Sequence, residues 1–364
     1  MARSSGLLHW TVAGPLLALL VLALTWSSQP GTGLVVIVAG FLAVAVLAGV
    51  HHAEVVAHRV GEPFGSLVLA VAVTIIEVAL IVTLMISADG EEAASLARDT
   101  VFAAVIISLN GIVGISLVVG ALRHRVVSFN AEGTASALAT VATLATLCLV
   151  LPTFTTSAPG SEFSASQLTF AAVTSLALYA LFVVVQTVRH RDFFLPTGDA
   201  GALDPEAHAE PPSSRAAYRS LGVLVVALVA VVGLAKVTSP SIEDGVAAIG
   251  APPSAVGVVI ALLVLAPETL AAVRNARRGR MQTSFNLAMG SAIASIGLTI
   301  PAIAVASIWL DGPLILGLGA TQIVLLAISV VVGALTVLPG RATLQEGGVH
   351  LVLFVAFLFL AINP

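Results

Sequence analysis

The sequence predicts an all-α polytopic membrane protein of about eleven transmembrane helices: one extra amino-terminal helix, then two inverted five-helix repeats. Three observations carry that prediction. Hydrophobic residues make up 58% of the 364 and charged residues only 9%, against roughly 45–50% and 25% in soluble domains. Apolar runs near the ~20 residues that a helix needs to cross a bilayer recur along nearly the whole length. None alternates with the period of two expected of a barrel strand, so helices must satisfy the backbone within lipid. Finally, the basic residues segregate: with a cytoplasmic amino terminus and an odd number of spans, only Arg98 and Lys236 fall outside, leaving 13 of the 15 on the inner side. A miscounted helix would invert every later loop and destroy this pattern.

The spans fall at 7–26, 33–50, 64–87, 100–121, 134–151, 167–188, 219–237, 252–273, 284–308, 313–337 and 349–362. The first is too apolar and too long for a signal peptide, and no small-residue cleavage pattern ends it. Residues 189–218 carry Pro196, Pro205, Pro211 and Pro212 among mixed charges and read as a flexible cytoplasmic linker. The chain thus divides into the extra helix (1–32), a first repeat (33–188), the linker (189–218) and a second repeat (219–364), with the carboxyl terminus outside. The outer loops are acidic, with Asp89, Glu91, Glu92, Asp99, Glu162, Glu243, Asp244 and Asp311. Cys148 stands alone in an apolar run and forms no intrachain disulfide.

Both halves share a pattern: a Gly/Pro-rich lead-in (Gly61, Pro63; Gly250, Pro252, Pro253), an apolar run ending in Glu, then a helix rich in Gly and Ser. Aligning Gly111 with Gly290 also brings Ser116 onto Ser295. An odd number of helices per repeat inverts the second copy, the arrangement that places a site at the bilayer midplane and supports alternating access.

Glu77 lies about 13 residues into its helix, near mid-membrane at 1.5 Å per residue. Ionised and unpaired there it would cost at least about 2.5–3.5 kcal/mol. It needs a partner, a proton or a wet cavity, and Ser66, Ala70 and Thr74 share its helix face. Glu268 follows Pro267, which kinks a helix and frees a carbonyl, so carboxylate and carbonyl together offer oxygen ligands to a hard cation. In the next helix Asn286, Ser291 and Ser295 are either neutral ligands near Glu268 or close-packing residues with interhelical hydrogen bonds. Ser108, Asn110 and Ser116 have the same two readings. Two carboxylates can be neutralised by one divalent cation or by two protons, and that competition is sufficient for obligatory exchange.

Other features point elsewhere. His51, His52, Glu54 and His58 have ligand-like spacing but sit beside Arg59 at a helix end with no HExxH pattern, and a zinc site is not expected. Glu132 and Glu346 begin helices, where capping accounts for them. His350 reads as interfacial packing or a proton relay, and Gln186 as a core-facing amide. No phosphate-binding loop, nucleotide fingerprint or nucleophile elbow is present, so the chain is read as neither an enzyme nor an ATP-driven pump. It is expected to need no cofactor and to bind no nucleic acid.

These residues resemble the cation/calcium exchanger superfamily, most closely bacterial calcium/proton antiporters of the ionic transporter type. The likeness is carried by Gly61-Glu62-Pro63-Phe64-Gly65 through Thr74-Ile75-Ile76-Glu77-Val78, by Ser128-Phe129-Asn130 and Gln186-Thr187-Val188-Arg189-His190, and by Pro267-Glu268-Thr269-Leu270 through Asn286, Gly290-Ser291 and Leu298-Thr299-Ile300-Pro301. It implies a sodium/calcium exchanger-like fold in the cell membrane. It also implies outward movement of calcium, or in some relatives sodium or potassium, against protons, with Glu77 and Glu268 as shared ligands. Ile75-Ile76 before Glu77 and Thr269 after Glu268 depart from many relatives and leave selectivity open. A monovalent cation/proton antiporter is the alternative, and a passive channel a third reading.

Overall fold

The computed structural model describes residues 9–26, 32–61, 64–87, 90–196, 211–248, 250–310 and 312–364, without the side chains of 32, 64–67 and 90–92. The helices in order are α1 (Trp10–Thr25), α2 (Thr32–Val60), α3 (Phe64–Ser87), α4 (Gly90–Ile106), α5 (Val113–His124), α6 (Ala131–Ala145), α7 (Ala165–Val184), α8 (Ser214–Ala248), α9 (Ala255–Val264), α10 (Ala266–Arg277), α11 (Met281–Gly297), α12 (Thr299–Ala306), α13 (Ala320–Val337) and α14 (Leu344–Ile362). Short π-helical turns join α4 to α5 (Ile107–Ile112) and extend α6 (Thr146–Val150) and α7 (Val185–Arg189). Two strands of two residues, β1 (Val127–Ser128) and β2 (Arg341–Ala342), and 3₁₀ turns at Leu151–Thr153 and Arg191–Phe194 complete the list among the described residues. Among the described residues nine helical segments are long and apolar enough to cross a membrane; α9 with α10 qualifies only as a bent pair, and α1 is a shorter apolar helix.

The chain forms two compact units. The first holds α1, α2, α3 and α8, with α2 packed against the other three. Ala53 and Ala72 leave room for Leu224, and the three form a buried cluster where α2, α3 and α8 converge. The expected helix end near residue 50 is wrong, because α2 continues to Val60 and buries His52. That ring spans the unit: Nε2–H donates to the Thr11 carbonyl (3.0 Å), so Nδ1 accepts from the Ser220 hydroxyl (3.1 Å). Both ring nitrogens are committed, while His51 faces Glu54 at 3.9 Å. Lys236, one of the two basic exceptions to the charge pattern, lies 5.4 Å from the centre of the Trp26 ring, an arrangement that stabilises an ammonium near an interface.

The second unit comprises residues 90–209 and 250–364. Its centre is the continuous span 93–124, whose most apolar stretch is 89% buried against 22% for 165–189. A helix apolar on all sides belongs inside, and α9, α11 and α14 surround this one. Two backbone ties mark opposite ends. At the basic end β1 pairs antiparallel with β2, Val127 opposite Ala342, and Phe129 N–H donates to the Gly340 carbonyl at 3.0 Å. At the other end Glu162 bridges Ile315. Each tie joins the loop after the first of three helices in one half to the loop after the second in the other half. An inverted repeat matching 93–124 to 281–306, 131–153 to 320–337 and 165–189 to 344–362 makes the two ties equivalent.

Three sequence expectations change here. The span predicted from residue 313 begins at Ala320, because residues 314–318 run extended, with backbone N–H groups of Ile315, Gly317 and Leu318 donating to Ala94, Ser161 and Leu149. The region read as a flexible linker is ordered at both described ends: Arg191–Phe194 forms a 3₁₀ turn with Phe194 buried, and α8 already begins at Ser214. Its middle, 197–210, lies outside the described residues. Asp99, counted as a loop charge, is only 3% exposed. It is neutralised by Arg98 through a two-pronged contact (2.8 and 3.0 Å) and by Gln322 Nε2 (3.2 Å), beside a cavity of about 280 Å³. Arg98, the second basic exception, is therefore half of a paired dipole.

Candidate functional site

Glu77 sits inside α3, a helix of 24 residues with no break, and is 3% exposed; Thr74, one turn earlier, is 7% exposed. The pair shares a face because three residues advance an α-helix by nearly one turn. The side chain of Ser66, the third member of the expected stripe, lies outside the described residues.

Glu268 is held differently. The helix breaks at Leu265 and turns by 53° between α9 and α10, because Pro267 offers no N–H to the carbonyl four residues back and crowds it. Glu268 consequently stands in the first turn of α10, half-buried. The Thr269 hydroxyl donates to the Leu265 carbonyl at the break (2.7 Å). The kink expected from Pro267 is present; α3 has no counterpart, so the likeness between the two glutamate helices stops at sequence.

Within the second unit α10 packs against α11 and touches the π turn Ile107–Ile112. A π turn inserts one residue and leaves the helical ladder locally irregular, a feature frequent at functional positions. Here the turn carries Ser108 and Asn110, both fully buried. The hydroxyls of Ser108, Ser116 and Thr299 are buried with no hydrogen-bond partner among the described residues. An unmet buried hydroxyl costs about 1–3 kcal/mol, so three within one unit mark places where a water or cation would be welcome. Thr299 stands where α11 gives way to α12 at Leu298. It entered the sequence reading only as part of a motif, because a lone Thr before Pro301 carries no local signal of a helix break.

On α11, Ser291 is half-buried and Ser295 is 4% exposed. A side chain added at the neighbouring Gly290 would meet no atom within 4 Å, leaving open space beside Ser291. Asn286 is used otherwise. Its Nδ2 donates to the Phe194 carbonyl (2.6 Å) and its Oδ1 accepts from Gln282 Nε2 (2.9 Å). Gln282 Oε1 in turn accepts the Asn130 N–H (2.7 Å), so this amide belt fastens α11 to the loop segments at the basic end. Gln282 was missed as a hub because its partners lie up to 152 residues away.

His350 is not interfacial. It is 1% exposed and lies between Asn110 Oδ1 and Thr336 Oγ1, each at 3.1 Å. Asn110 Nδ2 continues the chain to Ser329 Oγ (2.7 Å). Glu346 caps α14 as expected, its carboxylate accepting the Thr343 N–H at 2.8 Å and hydroxyl at 2.6 Å; Glu132 lies in the first turn of α6 behind the Asn130 cap.

The model of the sodium/calcium exchanger protein family matches residues 30–188 and 219–363, covering both glutamates and the helices just described. The chain belongs to that family. A protein of Sinorhizobium fredii (strain NBRC 101917 / NGR234) named ionic transporter y4hA is 45% identical over 366 residues, spanning 100% of this chain and 98% of that protein. The sodium-potassium/proton antiporter ChaA of Escherichia coli (strain K12) is 35% identical over 349 residues, 94% of this chain and 93% of its own length. Among solved structures, the H+/Ca2+ exchanger CAX superposes with a TM-score of 0.70 at 16% identity, covering 96% of this chain and 86% of that one. That agreement shows a common fold: an all-α exchanger with inverted repeats. This member of the exchanger family is thus a multi-pass cation antiporter.

Proposed function

We propose that the protein exchanges calcium for protons across the cell membrane by alternating access, with Glu77 and Glu268 holding either the cation or protons. The observation that carries this reading is the placement of both carboxylates in apolar spans, Glu77 almost wholly buried and Glu268 at a helix break next to the π turn. A buried charge must be neutralised, and a mobile cation and a proton are interchangeable for that purpose. Thr74, Ser291 and Ser295 supply neutral oxygens for a hard cation, as do Ser108 and Thr299; Ser66 completes the set on α3. Asn286 serves the scaffold first. The segregation of arginines supports an amino terminus in the cytoplasm and a carboxyl terminus outside.

A second reading, exchange of sodium or potassium for protons, is favoured by the 35% identity to an antiporter named for those ions. Acid-inside everted vesicles separate the readings. Added calcium is expected to dissipate the proton gradient; dissipation by sodium or potassium alone would establish the monovalent reading. Failure of all three to act would remove both.

A further inference from the structure

The exchange reading leaves His350 unused, yet the ring is buried inside the second unit, 1% exposed. Polarity fixes the central proton of its hydrogen-bond chain. Ser329 is oriented by donating to the Leu325 carbonyl (2.6 Å) and accepts from Asn110 Nδ2 (2.7 Å). Asn110 Oδ1 can only accept, so His350 Nδ1 carries the hydrogen, and neutral His350 accepts from Thr336 through Nε2. Four hydrogen-bonded polar side chains therefore link α13, α14 and the π turn, and all four are at most 3% exposed. The turn they grip is the one that carries Ser108 and touches α10, the helix of Glu268.

The geometry points to His350 as a positioning residue for cation exchange: its Nδ1–H fixes the Asn110 amide and holds the π turn in register beside α10. The imidazole does not touch the cation. It sets the orientation of a segment whose irregular hydrogen bonding would otherwise leave several conformations open, and it acts from the side of the turn occupied by α13 and α14. This rests on the exchange reading for its consequence, though the clamp itself can be measured without transport.

Three variants test it. His350→Asn keeps a donor near the Nδ1 position, His350→Gln moves the amide toward the Nε2 position, and His350→Leu fills the space without donors. Apparent calcium affinity is read from gradient dissipation in everted vesicles, and amide hydrogen exchange of residues 107–112 from the purified full chain. His350→Asn is expected to stay within about twofold of the parent in both, while His350→Gln and His350→Leu lose about tenfold in affinity at similar maximal rate and exchange about tenfold faster, the scale of one lost buried hydrogen bond. A packing role would instead rank the variants by volume, with Gln and Leu nearer the parent than Asn; that ranking, or no difference among the three, overturns the proposal. Should the parent move no protons while only His350→Asn preserves slow exchange, the clamp stands and the exchange reading falls.

Discussion

Replacing Glu77 or Glu268 by Gln is expected to reduce cation-dependent proton movement by at least about a hundredfold, a barrier or binding loss of about 2.7 kcal/mol, while the protein still inserts and accumulates. Gln matches Glu in size and keeps an oxygen ligand, so packing around Glu77, at 3% exposure, is preserved. What disappears is the ability to alternate between a charged state that draws a cation and a neutral state that carries a proton. An amide is neutral throughout and neither takes up nor releases a proton, so coupling has nothing left to work with. Everted vesicles report the exchange, and immunodetection with size-exclusion chromatography reports the folded amount. Full exchange by both variants would remove these carboxylates from the mechanism; loss in only one would make that glutamate the sole carrier.

Gly347→Leu is expected to be strongly destabilising although it lies far from both carboxylates in sequence. A Cβ at Gly347 would lie 2.8 Å from the Val118 backbone nitrogen and 2.9 Å from its Cγ2, and one at Gly114 would lie 3.0 Å from the Leu351 backbone nitrogen. The two glycines let α14 and α5 approach nearly backbone to backbone, the small-residue packing by which membrane helices associate. Backbone cannot yield as a side-chain tip can, so α14 must shift, and His350 shifts with it. Overpacking of this kind costs about 1–3 kcal/mol and sometimes more. The neighbouring Gly348 has nothing within 4 Å, so Gly348→Leu is the matched control. Thermal midpoints in detergent should fall for Gly347→Leu only; equal midpoints for both variants would contradict the tight α5–α14 contact.

Much of this architecture was legible because it is written locally. Apolar runs located the helices, Pro267 announced the 53° bend, and Glu346 announced a helix start, to which the structure adds Thr343 as its partner in the cap. The limits of local pattern appear in Asp99, Asn286 and His350. An aspartate beside a loop, an amide on a polar helix and a histidine near a helix start each have an ordinary local reading. Their partners, Gln322, Phe194 and Asn110, lie 223, 92 and 240 residues away, and nothing in the flanking sequence encodes them. The candidate site divides in the same way. Both glutamates stood out as charges that an apolar span does not tolerate without compensation, whereas Ser108 and Thr299 stand at a π turn and a helix break that no residue type signals.

Asn110 also has a consequence for how the chain is made. It enters the membrane with α4 and α5, yet its two side-chain partners, Ser329 and His350, follow it by 219 and 240 residues. At roughly 5–20 residues per second, about 10–50 s of synthesis separate the amide from the groups that satisfy it. Throughout that interval the unit's central span carries a polar side chain with its eventual partners still unmade, and the β1–β2 tie cannot form either. A ribosome that stalls before α13 therefore leaves a nascent chain whose central span, 89% buried over its most apolar stretch in the finished unit, still carries an unmet amide.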